Sequence, residues 1–376
     1  MRSAITERVI YFMKTPFQEP NASGSQHELF YKNFRSAGLS DCVPIVDLRS
    51  PIEFIKGSVV GSYNVPLFSD EERHEVGCVY KQQGHLPAVQ LGLEFFALKV
   101  DRFLEQIIAL CPERRVAIYC WRGGMRSHSV ARLLTAIGFE VFLFTGGYKC
   151  YRKDVLNALE SFGSHPLLVL NGRTGSGKTA LLRRLPSNFP HLDFEGIANH
   201  RGSALGDFNI DIPSPTQQNF ENKIADYYTR HKDAATILVE FENFIGPVTL
   251  PLVIRNNIRS SPMVYCYRCK ESRIEHLVGE YVANWSSESD ELFRQRMLLF
   301  KKYFSVSFRE KLVGLVEERN FSEVVRLLLD QRYDVLYDKN LNKNRWLSEI
   351  EFDLTDGFDD ALTWISKRVG YKESLL

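Results

Sequence analysis

Apolar residues fall along this chain in short blocks of two kinds. Val43-Pro44-Ile45-Val46 running into Asp47, Val116–Tyr119, Val141–Phe144 and Leu167–Leu170 are nearly unbroken apolar runs of strand length. Such runs mark strands buried on both faces of a parallel sheet. Helix-length segments lie between them. Ser50, Pro51 and Glu53 have the order of a helix start, with a serine cap, proline at the first position and glutamate at the third. Leu91, Phe95, Leu98, Phe103 and Ile107 share one broad face of a single helix predicted over 89–110. A helix over Ser127–Ile137 is closed by Gly138. Strand, helix, strand, helix, strand describes a parallel α/β domain. Leu167–Leu170 opens a second one, continued by strands at Leu192, Thr236–Glu240 and Met263–Tyr267, with Asp193, Glu195, Glu240 and Glu242 at or near strand ends. Beyond about residue 270 the pattern turns helical and charged.

Composition narrows the class. At 376 residues, two or three domains are expected, and 44% hydrophobic with 25% charged residues is the balance of a globular protein. Lys and Arg number 47 against 46 Asp and Glu, so no global basic field announces nucleic acid, and any RNA must be met by a local patch. Basic residues at Lys301, Lys302, Arg309, Lys311, Arg319 and Arg326 alternate with acids, the pattern of a solvated helical face, with tRNA contact as the alternative. No leader-type or membrane-length apolar stretch is visible, so a cytoplasmic location is expected. Seven cysteines in so long a chain do not form a disulfide framework, and a reducing compartment keeps them as thiols. Cys266 and Cys269 have metal-like spacing but no second pair, so no metal centre is expected there.

Two loops carry chemistry. The first is Cys120-Trp121-Arg122-Gly123-Gly124-Met125-Arg126-Ser127, at a strand end and before a helix. Loop amides converge there and the helix dipole favours negative charge at the sulfur. Arg126, six residues past Cys120, can hold an oxyanion, Arg122 adds charge, and the two glycines let the backbone turn its amides inward. The second is Gly172-Arg173-Thr174-Gly175-Ser176-Gly177-Lys178-Thr179, a complete P-loop between an apolar strand and a helix. Its amides cradle phosphate, Lys178 reaches it, and Thr179 is the residue that would ligand Mg²⁺. Glu240 and Glu242 compete for the acidic position that usually accompanies such a loop.

The first loop, with Val46-Asp47-Leu48-Arg49 before it and Phe144-Thr145-Gly146-Gly147-Tyr148 after it, resembles the rhodanese (sulfurtransferase) domain over roughly residues 40–155. The Cys-x5-Arg spacing is also that of phosphatases, although Tyr119 stands where those enzymes usually carry histidine. The loop is one residue longer than in most sulfurtransferases, which leaves room for a larger phosphorus-containing anion. Both motifs in this order, with Tyr80-Lys81-Gln82-Gln83-Gly84 and Asp193-Phe194-Glu195-Gly196-Ile197-Ala198-Asn199-His200-Arg201-Gly202-Ser203, resemble the tRNA 2-selenouridine synthase family over most of the chain.

That resemblance implies an α/β fold with a rhodanese-like parallel-sheet domain, then a P-loop NTPase-like domain with a helical C-terminal part. The expected boundaries are an extension at 1–25, then domains at 26–160, 161–270 and 271–376. It further implies replacement of sulfur by selenium in wobble 2-thiouridine of tRNA, from selenophosphate supplied by another enzyme, through an S-geranylated intermediate made from geranyl diphosphate. No tightly bound cofactor is expected. Cys120 would be the essential thiol, and Asp47, Arg49, Asn199, His200, Arg201 and Glu240 are candidate substrate contacts. Two departures stand out: the run Val239-Glu240-Phe241-Glu242-Asn243 lacks the family's Glu-Ser-Arg, and Val335 stands where proline is expected. A sulfurtransferase or Cys-x5-Arg phosphatase with a regulatory P-loop domain is the alternative, and a module that only senses phosphate is the third reading.

Overall fold

The computed structural model describes residues 24–200, 212–241, 245–282, 285–344 and 348–371. The chain divides into two compact units between Asp154 and Val155, within the helix Gly147–Phe162.

The first unit is built on a five-stranded parallel sheet in the order β1-β5-β4-β2-β3. These strands are β1 (Ser25–Leu29), β2 (Ile45–Asp47), β3 (Tyr63–Asn64), β4 (Arg115–Tyr119) and β5 (Glu140–Phe144). β2, β4 and β5 are the apolar runs read from the sequence, and their side chains are almost wholly buried. The capping box at Ser50 forms as expected, with the Glu53 carboxylate accepting the Ser50 amide at 3.3 Å. The helix expected over 89–110 is instead two, His85–Ala97 and Val100–Leu110. The break at Leu98 and Lys99 explains the face assignment: Phe103 and Ile107 are core, whereas Leu98 is 79% exposed. β1 was not predicted, because Ser25-Gln26-His27-Glu28-Leu29 is polar; it lies at the sheet edge, paired with β5. The rest of the 1–25 extension lies outside the described residues.

The second unit has another five-stranded parallel sheet, in the order β10-β9-β6-β8-β7. It comprises β6 (Leu167–Asn171), β7 (His191–Leu192), β8 (Ile237–Glu240), β9 (Met263–Tyr267) and β10 (Ser348–Asp353). Helices occupy much of 270–344, as the C-terminal pattern predicts. The chain then returns to the sheet: β10 pairs with β9, and the helix Asp359–Val369 buries Ala361, Ile365 and Val369 in the core around β6. The charged alternation of Ser348-Glu349-Ile350-Glu351-Phe352-Asp353 concealed that strand, which occupies an edge and so keeps its polar side chains wet. No helix among the described residues is long and apolar enough to cross a membrane.

Candidate functional site

Cys120 sits directly beyond the C-terminal end of β4, 2% exposed, with its sulfur 3.2 Å from the Ser127 hydroxyl. Ser127 Oγ in turn donates to the Gly124 carbonyl at 3.1 Å. A hydroxyl has one hydrogen and two lone pairs. With its hydrogen on Gly124 it accepts from a thiol, and by rotating it donates to a sulfur that carries charge. The helix Met125–Ala136 begins at this loop, so its N-terminus faces the same place.

Backbone packing fixes the loop. Tyr148 N–H donates to the Cys120 carbonyl at 2.9 Å and Lys149 N–H to the Trp121 carbonyl at 3.0 Å. In a trans peptide the amide of the next residue opposes the carbonyl, so the N–H groups of Trp121 and Arg122 point away from that helix. Gly123 has φ of 61° and Gly147 of 55°, and a Cβ on Gly147 would stand 2.2 Å from the Cys120 carbonyl oxygen. No other residue type fits there. Arg126 lies 3.6 Å from Glu53, which is also ion-paired with Arg73 at 3.6 Å, so the guanidinium is held at the loop rim. Arg122, Gly124, Met125 and Trp121 are exposed around it.

Asp47 and Arg49, read from the sequence as candidate substrate contacts, are buried and paired with each other. Their side chains are 0% and 1% exposed, joined by Arg49 Nε at 3.0 Å from both carboxylate oxygens and Nη2 at 2.5 Å from one. Arg49 also donates to the Gly57 carbonyl at 2.6 Å and stacks its guanidinium 3.9 Å from the Tyr148 ring centre. Burial opposes the charge on Arg49, and the hydrogen bonds and field of Asp47 outweigh it, so its pKa is raised. Next to this pair, burial first and the Asp47 charge second push the Tyr119 hydroxyl well above its usual range. The cluster is a strut that supports the Cys120 loop through Tyr119 and Tyr148.

In the second unit, β6 feeds the P-loop and the five-residue helix Lys178–Leu182 leaves it. Lys178 Nζ donates to the Gly172 carbonyl at 2.8 Å, folding the lysine over the loop. A Cβ at Gly172 would lie 2.1 Å from the Cys266 carbonyl oxygen, so the loop rests on β9. The loop rims a cleft of about 250 Å³ that gathers Gly175, Gly177, Lys178 and Thr179 with Asn199 and His200. Glu240 ends β8 fully buried; its carboxylate accepts the Glu195 amide at 3.3 Å and lies 3.5 Å from Thr179 Oγ1. A hydroxyl and a carboxylate at this separation fit a Mg²⁺ that takes its remaining ligands from phosphate and water. Glu242 and Arg201 lie outside the described residues.

Sequence reasoning missed part of the cleft wall. Arg183, His276, Leu277, Glu280 and Tyr281 line it and belong to no motif. Arg183 and His276 approach Glu280 at 3.7 and 3.8 Å. Burial lowers the His276 pKa; Glu280 opposes that, and Arg268 and Arg183 add to it. Arg273 fixes the far wall: 3% exposed, it donates to the Thr174 carbonyl at 2.8 Å and to both oxygens of Asp334 at 3.0 and 2.6 Å. Asp193, expected to end a strand, caps the helix Phe194–Ala198 by accepting the Gly196 amide at 2.7 Å. Burial pushes the Cys266 thiol up to about 12, whereas Cys269 is exposed.

Comparison with known proteins agrees with both halves. Residues 28–154 match the rhodanese-like domain family, and residues 165–312 match the tRNA 2-selenouridine synthase AAA domain. A tRNA 2-selenouridine synthase of Nitrosomonas eutropha is 34% identical over 335 residues, covering 82% of this chain and 85% of the relative. One of Shewanella oneidensis is 34% identical, covering 80% and 86%. One of Sulfurovum is 32% identical, covering 83% and 92%. The chain belongs to the tRNA 2-selenouridine synthase family. Family membership joins the two loops in one enzyme, a transferase, and separates the chain from rhodaneses that lack the second unit.

Proposed function

We propose that this enzyme replaces sulfur by selenium in 2-thiouridine at the tRNA wobble position, with selenophosphate as donor and an S-geranyl intermediate. The observation that supports this is one chain holding two anion cradles, only one of which has a nucleophile. In the first step, the uridine sulfur attacks the first carbon of geranyl diphosphate, and diphosphate leaves. The P-loop cleft suits that leaving group, with Lys178 and the loop amides taking its charge. When bound, Mg²⁺ would neutralise diphosphate oxygens, with Thr179 and Glu240 holding it. The selenium of selenophosphate then displaces the thioether at the uridine carbon, geranylthiol departs, and water takes the phosphoryl group from selenium, leaving 2-selenouridine and inorganic phosphate. Cys120 is the thiol of this selenation step, with Arg126 and the loop amides holding the phosphoryl oxygens. A reducing cytoplasm, where an enzyme that makes selenophosphate is at hand, is the setting this chemistry needs.

Mass spectrometry of tRNA nucleosides tests the reading in cells that lack the protein and carry wild type, Cys120→Ala or Lys178→Ala. Selenouridine is expected with wild type alone. Geranylated thiouridine should accumulate with Cys120→Ala and be absent with Lys178→Ala. Unchanged seleno- and geranyl-nucleosides in all three would reject it and turn attention to persulfide and phosphoester assays.

A further inference from the structure

A second cavity opens beside the P-loop cleft and shares three of its wall residues, Thr174, Leu277 and Tyr281. Among the described residues, none that lines it is charged. From the shared mouth it runs among helices of the 270–333 region, past Val325 and Tyr333, to an aromatic group of Trp285, Phe293 and Phe321. Trp285 and Phe321 have ring centres 4.8 Å apart, and Trp285 and Phe293 6.0 Å. The indole N–H is already taken by Asp290 at 2.7 Å, so Trp285 brings apolar surface. Leu329 and Tyr333, also in the wall, lie on a π-helical turn, Leu329–Tyr333, a distortion frequent at functional sites.

We infer that this cavity holds the hydrocarbon tail of an isoprenoid diphosphate whose head occupies the P-loop, and that Trp285, Phe293 and Phe321 limit the tail's length. The inference rests on the diphosphate reading above. A phosphate cradle continuous with a charge-free cavity suits an amphiphile. The sugar and base of a nucleotide would bring hydroxyls and ring nitrogens into a space lined almost wholly by carbon, where unmatched polar groups are costly. Leu277 stands at the change of environment, packed against Gly175 such that a Cβ there would be 2.9 Å from Leu277 Cδ1. That contact places the start of the tail directly beside the phosphate loop.

The test is calorimetric titration of the full chain with inorganic diphosphate and with allylic diphosphates of five, ten and fifteen carbons. Wild type should bind the ten-carbon ligand at least tenfold more tightly than inorganic diphosphate. Val325→Phe, at a partly buried wall position, should lose that tenfold gain while binding inorganic diphosphate as before. Phe321→Ala should shift the ratio of fifteen- to ten-carbon affinity upward about tenfold, with the inorganic ligand as the check on folding. Equal wild-type binding of ten-carbon and inorganic diphosphate would overturn the tail site and leave the P-loop assignment standing. So would an unchanged chain-length order in both variants. Wild type binding neither ligand would overturn the diphosphate reading and the inference together.

Discussion

The two cradles solve one problem in different ways. Each is a loop between a parallel strand and a helix, and each needs its backbone held in one shape. At Cys120 the restraint is mostly backbone on backbone: Tyr148 and Lys149 amides on loop carbonyls, and Gly147 against the Cys120 carbonyl. The supporting Asp47–Arg49 pair is two residues apart in sequence and wholly buried. At the P-loop the restraint comes from side chains far along the chain. Arg273 holds the Thr174 carbonyl, Tyr337 donates to Asn171 at 3.0 Å, and Arg173 pairs with Asp338 at 2.8 Å. The lesson is that the first cradle is fixed mainly by backbone contacts and a buried ion pair, whereas the second depends on side chains of the C-terminal helices within its unit.

That contrast can be broken most sharply at Arg49. Arg49→Ala leaves Asp47 buried without its partner and should cost about 3–5 kcal/mol of stability, read from urea unfolding. Arg49→Lys should recover only part of this, because an ammonium cannot reproduce the two-pronged contact. A loss below about 1 kcal/mol for Arg49→Ala would contradict the strut. Arg273→Ala should be milder, near 2 kcal/mol, since Asp334 keeps some access to water. Its characteristic effect should be a weakening of inorganic diphosphate binding by about tenfold, or about 1.4 kcal/mol. Undiminished diphosphate affinity would show that the P-loop holds its shape alone.

The smallest effect expected is on pH. Burial lowers the pKa of His165, His191 and His276, all in the second unit, from the usual 6.5. The unfolded chain then binds more protons than the folded one just below pH 6.5, so stability rises with pH through that window and is lost on acidification. Thermal unfolding between pH 7.5 and 5.5 should show this slope, and His165→Gln should reduce it. A flat profile would remove these histidines from the account.

Legibility followed the same division. The Cys120 loop could be read because strand, cysteine, glycines and arginine are contiguous, and β2, β4 and β5 were continuous apolar runs. The Asp47–Arg49 motif was visible, but its burial was not, since two short-range charges look alike at a surface and beneath one. The helix break at Leu98 escaped because Leu98 fits the apolar period, and its exposure depends on the break. In the P-loop cleft, the loop was legible and Glu240 was one of two candidate acids, whereas Arg183, His276 and Glu280 looked like ordinary residues of charged helices. β10 was hidden by its alternating acids.

By itself, then, the sequence determined the order of the two parallel-sheet units and the positions of the Cys120 loop and the P-loop at strand ends, because each rests on local periodicity or contiguous backbone chemistry. Only the tertiary structure decided that Asp47 and Arg49 support the loop from within, and that His276, Leu277, Glu280 and Tyr281 complete the P-loop cleft. It also placed beside that cleft a cavity whose described lining residues carry no charge. These features arise from contacts between residues far apart in the chain, and from which charges lose their water on folding. No pattern of neighbours encodes either quantity.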